Sequence, residues 1–131
     1  MKLQCKYNSA TSVEKIQDVA KENGFTYTND LTNFVLLYNN GIIIPNKFDS
    51  EQSKGYEVKT ILSYNKEDME NVYTAIEILK EEGVNLIPFA NTPSGDFICL
   101  DINNAVVLWK HETSIIERIS PTFSLFIDSL Y

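Results

Sequence analysis

His111 is the only histidine of this chain, and Glu112 follows it directly. An imidazole among carboxylates can serve as a general base or as a proton-sensitive contact. Base catalysis also needs a nucleophile within reach, and no hydroxyl or thiol is paired with His111 at a recognisable spacing. The residue types therefore read first as a turn histidine that donates a hydrogen bond to nearby backbone or to an acid. Two more acids bound the run "DFICLD", Asp96 and Asp101. Their spacing along a strand sends them to opposite faces, which does not make a catalytic pair. Asp101, followed by "INN", is expected to shape the next turn by accepting backbone hydrogen bonds, and Asp96 to do the same for the turn before it.

Other chemistry finds little support. Cys5 and Cys99 are far apart, and Cys99 sits in an apolar run where a thiol behaves as a small hydrophobe. One histidine and two distant cysteines do not match zinc-ligand spacing. The five glycines stand singly at the ends of expected elements, so no phosphate-cradling loop is present. No metal, no cofactor and no catalytic residue is expected. Trp109, the sole tryptophan, is expected in the core or in the wall of a groove.

Charge narrows the partners. Eighteen acids against eleven bases give a net charge of −7, and Arg118 is the sole arginine. Such a chain is repelled by nucleic acid and by an anionic membrane surface, and it attracts a basic protein. Many acids, among them Asp49, Glu51, Glu57, Glu81 and Glu82, fall on loops or on the outer face of an expected helix. They form either a solvated face or a patch for a basic partner. The first residues lack a long apolar stretch of the signal-peptide kind, and no run reaches membrane-spanning length, so a cytoplasmic location is expected.

The elements that must position these residues can be read from period and punctuation. "TSVEKIQDVAKENG" predicts a helix capped by Thr11 with Glu14 as its capping-box partner, and with Val13, Ile16, Val19 and Ala20 on its apolar face. "NDLTNFVLLYNNG" predicts a second, capped by Asn29 or Asp30 and stopped at Asn39–Gly41. "GIIIP" reads as a short extended run, residues 46–55 as a surface loop, and "YEVKTILSY" as one strand. "NKEDMENVYTAIEILKEEG" predicts a third helix with Asn65 as cap and a stripe of Met69, Val72, Tyr73, Ile76 and Leu79. Four short strands follow, "NLIPFA", "DFICLD", "AVVLWK" and "IIERI". Their joins are too short for anything but antiparallel pairing. If 106–111 is a strand, Val107, Trp109 and His111 share one face. A last helix is expected in "SPTFSLFIDSLY", with Ser120 as cap, Pro121 at its first position and Phe123, Phe126, Ile127 and Leu130 facing inward. The chain, residues 1–131, is thus expected to be one α+β domain: an antiparallel sheet of about four to six strands with helices packed on it.

Four of these pieces, "LTNFVLLYNNGIIIP", "NLIPFANTPSGDFICLD", "VVLWKHET" and "SPTFSLFIDSLY", taken in that order, resemble the SUKH superfamily over residues 25–131. Its bacterial members include immunity proteins of polymorphic toxin systems, and it also contains fungal cell-wall-assembly regulators. Asp96, Asp101, His111 and Glu112 match polar positions of the family; Lys110 stands where it often has Asp. The resemblance implies a binding protein rather than an enzyme. The expected partner is a cognate toxin domain, basic in charge and of nuclease type, with no nucleic acid or membrane contact and a monomer favoured. The contact surface is expected among Asp49, Glu51, Glu57, Asp96, Asp101, Trp109, His111 and Glu112. The alternatives are a scaffold adaptor for housekeeping proteins and a small-molecule-binding domain with a pocket near Trp109 and His111.

Overall fold

The computed structural model describes residues 3–131. Thirteen elements follow one another along these residues. Strand β1 (Gln4–Lys6) precedes helices α1 (Val13–Asn23) and α2 (Asn29–Tyr38). Four short strands follow: β2 (Ile42–Ile44), β3 (Lys47–Phe48), β4 (Tyr56–Glu57) and β5 (Thr60–Ile61). Then come α3 (Val72–Glu81), β6 (Ile87–Asn91), β7 (Phe97–Leu100), β8 (Val106–Lys110), β9 (Ile115–Ser120) and α4 (Phe123–Ser129). The fold is α+β, as expected from the sequence.

The main sheet is antiparallel, in the order β5-β6-β7-β8-β9. Short joins gave the chain no route to any other arrangement of β6–β9. Both faces of β6, β7 and β8 are buried. That explains why these strands are nearly continuous apolar runs rather than alternating ones. On one face α4 packs through Phe123 and Phe126 onto Phe89, with ring centroids 5.2 and 5.9 Å away. Phe97 and Trp109, paired across β7 and β8, stack at 6.0 Å. Trp109 is 1% exposed and lies in the core, so its expected place on a contact surface is corrected.

Several local expectations shift by a residue or more. The helix caps are Ser12, Thr28, Asn71 and Thr122, each accepting a backbone N–H three residues on. Thr11, Asn29, Asp30, Asn65 and Ser120 do not cap, and Pro121 precedes the last helix instead of opening it. Val13 is exposed and only Ile16 and Val19 of the α1 face are fully buried. Helix α3 starts at Val72, so Met69 lies outside it and is 94% exposed. "YEVKTILSY" is two strands in two different sheets: β4 pairs with β3, and β5 with β6. The loop 46–55 contains β3, whose Phe48 is completely buried and stacks on Tyr56 at 5.5 Å. His111 lies past the end of β8, in a turn.

A buried polar knot joins the two halves of the chain. Asn39 ends α2; its side chain accepts from the Tyr64 amide at 2.8 Å and donates to the Ser63 hydroxyl at 3.1 Å. Ser63 donates to Asp68 at 2.5 Å, and Asp68 also accepts from Ser9 at 3.1 Å. Asn65, free of capping, donates to the Ala10 carbonyl at 2.9 Å and accepts from Lys15 at 2.9 Å. The hydroxyl of Ser63, with those of Ser9 and the amide of Asn65, holds the Asp68 carboxyl below its usual range. The knot fixes α2, the start of α1 and the entry to α3 in one arrangement. Beside it Gly41 lies against Cys5 and the end of α2: a Cβ there would lie 2.9 Å from the Tyr38 carbonyl oxygen, which the helix backbone holds in place, so glycine is required. Among the described residues, no helix is long and apolar enough to cross a membrane.

Candidate functional site

A meander reverses direction at every turn. The β6–β7 and β8–β9 turns therefore lie at one end of the sheet, and the β7–β8 turn at the other. This topology separates Asp96 from Asp101 by the length of β7, and it carries Asp96 to His111, fifteen residues on. The β6–β7 turn closes through Thr92 N–H to Asp96 C=O at 3.0 Å, with Gly95 at φ 88°. The β8–β9 turn closes through Ser114 N–H to Lys110 C=O at 2.7 Å. His111 rests on Gly95: a Cβ at that position would lie 3.6 Å from the ring.

Asp96 holds His111 by two bonds. One carboxylate oxygen accepts from the His111 amide at 3.1 Å and pairs with Nδ1 at 2.6 Å. The other accepts from Ser94 at 3.3 Å. The Asp96 side chain is 7% exposed and that of His111 40%. Asp96 thus braces the neighbouring hairpin in addition to its own turn, and, buried as it is, it acts at the surface chiefly by holding His111. Nδ1 is committed to Asp96, which leaves Nε2 pointing outward, 4.0 Å from the exposed Glu112. An oriented imidazole with a free Nε2 is half of an acid–base dyad. Among the described residues no hydroxyl or thiol hydrogen-bonds to that nitrogen. No group of three His, Cys, Asp or Glu side chains there is arranged to hold a metal ion.

His111 and Asp96 form one wall of an open cleft of about 320 Å³. Glu112, Thr113, Ile115, Tyr56, Lys110 and Glu117 also line it. Glu117, 5% exposed, is the hub. It accepts from Ser50 at 2.7 Å and Tyr56 at 3.0 Å, and it pairs with Lys110 at 3.2 Å. Lys110 also donates to the Tyr56 hydroxyl at 3.2 Å, so the three side chains close a ring. Burial pushes the Glu117 carboxyl up; the bonds from Ser50, Lys110 and Tyr56 outweigh it and leave the group below the usual range. The hydrogen bonds with Tyr56 and Glu117 hold the Lys110 ammonium above its own.

The 49–55 loop borders this cleft. The Glu51 amide donates to the Arg118 carbonyl at 3.0 Å, and its carboxylate lies 3.8 Å from the Arg118 guanidinium. Asp49 accepts from the Tyr131 hydroxyl at 2.7 Å and the Gly55 amide at 3.0 Å, and both bonds lower its pKa. Glu57 points to the side of β4 opposite Tyr56, away from the cleft. Asp101 lies at the far end of the sheet. It shapes its turn as expected, accepting from the amides of Asn103 at 2.8 Å and Ala105 at 3.0 Å. Of the eight residues read from the sequence, Asp96, His111 and Glu112 line the cleft and Asp49 and Glu51 lie in the loop beside it. Glu57, Asp101 and Trp109 stand apart. The residues missed are Ser50, Tyr56, Lys110 and Glu117. A glutamate within "IIERI" was the one available signal, because a charge inside an apolar strand needs a partner.

The Glu117 ring predicts a pH dependence. Its folded pKa is lowered, so its stabilising contribution is complete above the ordinary carboxylate value of 4.5 and is lost as pH falls through the folded value. Urea unfolding at a series of pH values should show the native protein losing stability below about pH 4.5 more steeply than Glu117→Gln. Parallel curves would mean that Glu117 has no favourable pairing. The lowered groups Asp49 and Asp68 are common to both proteins and cancel in the comparison.

A model of the family described as "SUKH_6: SMI1-KNR4 cell-wall" matches residues 13–127 of the chain. No curated protein and no solved structure matches it.

Proposed function

The chain belongs to the SUKH (SMI1-KNR4) family, and from that membership we propose that it is an immunity protein that binds and neutralises a cognate toxin domain. The toxin is a nuclease, basic where it holds nucleic acid, and the complex forms in the cytoplasm with one copy of this chain. The observation that carries this reading is the open cleft rimmed by carboxylates on a chain of net charge −7. Lys110 already neutralises Glu117, so the charge free to meet a basic partner is chiefly that of Glu112, 83% exposed; Glu51, 63% exposed, shares its charge with the half-exposed Arg118. Opposite charge of this kind raises the association rate more than it slows dissociation. The cleft is pre-formed, because Asp96, Glu117 and the two turns hold its walls in place without a partner. Binding here blocks the toxin by covering it, and no bond is made or broken.

The immobilised protein should capture one dominant basic toxin domain from native lysate at low salt, identified by mass spectrometry. With that domain purified, Glu51→Lys combined with Glu112→Lys should slow association by about tenfold and flatten its salt dependence. The same variant should protect less well against toxin activity. Capture of housekeeping proteins alone, with no toxin domain, would favour the adaptor reading that the family's cell-wall members suggest.

A further inference from the structure

Helices α2 and α4 meet through Phe34 and Phe123, whose ring centroids are 5.1 Å apart, and Phe34 packs on Tyr38 at 4.7 Å. Above these rings runs an open groove of about 270 Å³. Leu37, 62% exposed, and the half-buried Ile127 form its apolar sides. Its charged lining residues are Asp30 and Asp128, with no base among them. Neither aspartate takes part in an ion pair among the described residues. The groove shares no lining residue with the cleft.

The two acids are not equivalent to the fold. Asp30 lies in the first turn of α2, where a negative charge favours the helix. Asp128 lies in the last turn of α4, which carries no base, and there a carboxylate opposes the helix dipole. Among the described residues its side chain forms no hydrogen bond or ion pair, yet it stands on the rim of an exposed apolar groove. A cation brought by a partner would relieve it.

We propose that the α2–α4 groove is a docking site for a basic amphipathic segment of a protein, with an aliphatic or aromatic side chain seated beside Leu37 and flanking Lys or Arg side chains on Asp30 and Asp128. A second copy of the chain does not suit the groove, since it would bring two acidic rims together on molecules of net charge −7. An anionic membrane is repelled by the same rim. Apolar patches with polar rims are the usual signature of protein contact, and the charge selects which protein.

The test needs no knowledge of the toxin. The ¹⁵N-labelled protein is titrated with the synthetic peptides KLLKKLLK, ELLEELLE and KSSKKSSK. The first alone should shift amides of residues 30–38 and 123–128. Leu37→Ser should weaken it by about tenfold and Asp128→Asn by several-fold, as expected for an apolar anchor and a rim charge. Asp128→Asn should also raise Tm slightly, which separates lost contact from lost folding. Equal binding of the acidic peptide, shifts centred elsewhere, or no response to either substitution would overturn the proposal. Concentration-dependent dimerisation in sedimentation that shifts the same amides would overturn it in favour of self-association.

Discussion

Replacing Trp109 by alanine should lower the unfolding free energy by about 3–5 kcal/mol, the range for emptying a large aromatic site in a core. Trp109 is 1% exposed, stacks on Phe97, and lies on β8, which is paired on both sides, with β7 and β9. Phe97, the ring stacked on it, is held in register on β7 and cannot move to fill the space. The indole also carries a cost: its Nε1 is buried without a hydrogen-bond partner. Trp109→Phe keeps most of the ring contact and removes that orphan donor, so it should cost under about 1.5 kcal/mol. Urea unfolding followed by circular dichroism measures both, since the variants lose the only tryptophan. At temperatures where the variants are folded, partner affinity should be unchanged. A stability loss under about 1 kcal/mol with partner binding abolished would place Trp109 at the contact surface after all.

The second large effect is expected at Asn39. Asn39→Ala should cost about 3 kcal/mol, because it strands buried groups rather than emptying an apolar space. Asn39 is completely buried, and Tyr64, whose amide it satisfies, is 1% exposed. The alanine methyl leaves that amide with no acceptor in the knot, and it removes the donor to Ser63. Asn39→Asp does not rescue the site. It keeps the acceptor for Tyr64 but places a second carboxylate near Asp68, which shares the Ser63 hydroxyl. A Tm lower by roughly 10 °C is the readout for alanine. In a double-mutant cycle, Asn39→Ala and Ser63→Ala should be strongly coupled. Additive effects would show that the knot is a set of independent bonds.

These two residues, one apolar and one polar, help to set the shape on which both proposed surfaces rest. Trp109 lies on β8, two residues before His111, and is paired with Phe97, the residue after Asp96. Asn39 ends α2, one side of the α2–α4 groove. Loss of either should blunt binding only through loss of folded protein, whereas Glu112 and Leu37 are exposed and should change binding at constant stability. Measuring Tm and affinity together on all four separates scaffold from contact.

By itself the sequence determined the meander. Four apolar runs with joins of a few residues can only pair antiparallel in order, and that order alone sends Asp96 and His111 to one end of the sheet and Asp101 to the other. It also determined that Asp101 would serve its own turn, because an Asx turn is made within a few residues. The net charge needs no fold at all. Tertiary structure decided the rest, for one reason: the groups concerned are distant in the chain. Ser12 caps where Thr11 stands beside it, and Asn71 caps where Asn65 was equally suitable. Local sequence offers several cap residues, and the burial of the helix face selects among them. "YEVKTILSY" divides because Tyr56 finds Phe48 and Glu117 while Ile61 finds Ala90. Glu117 becomes the hub of the cleft through Ser50 and Tyr56, sixty-seven and sixty-one residues away, and no periodicity in a short window encodes a partner at that range. The α2–α4 groove has the same origin: Phe123 reads as an inward-facing residue of the last helix, and only its packing against Phe34, far away in the chain, leaves an open side.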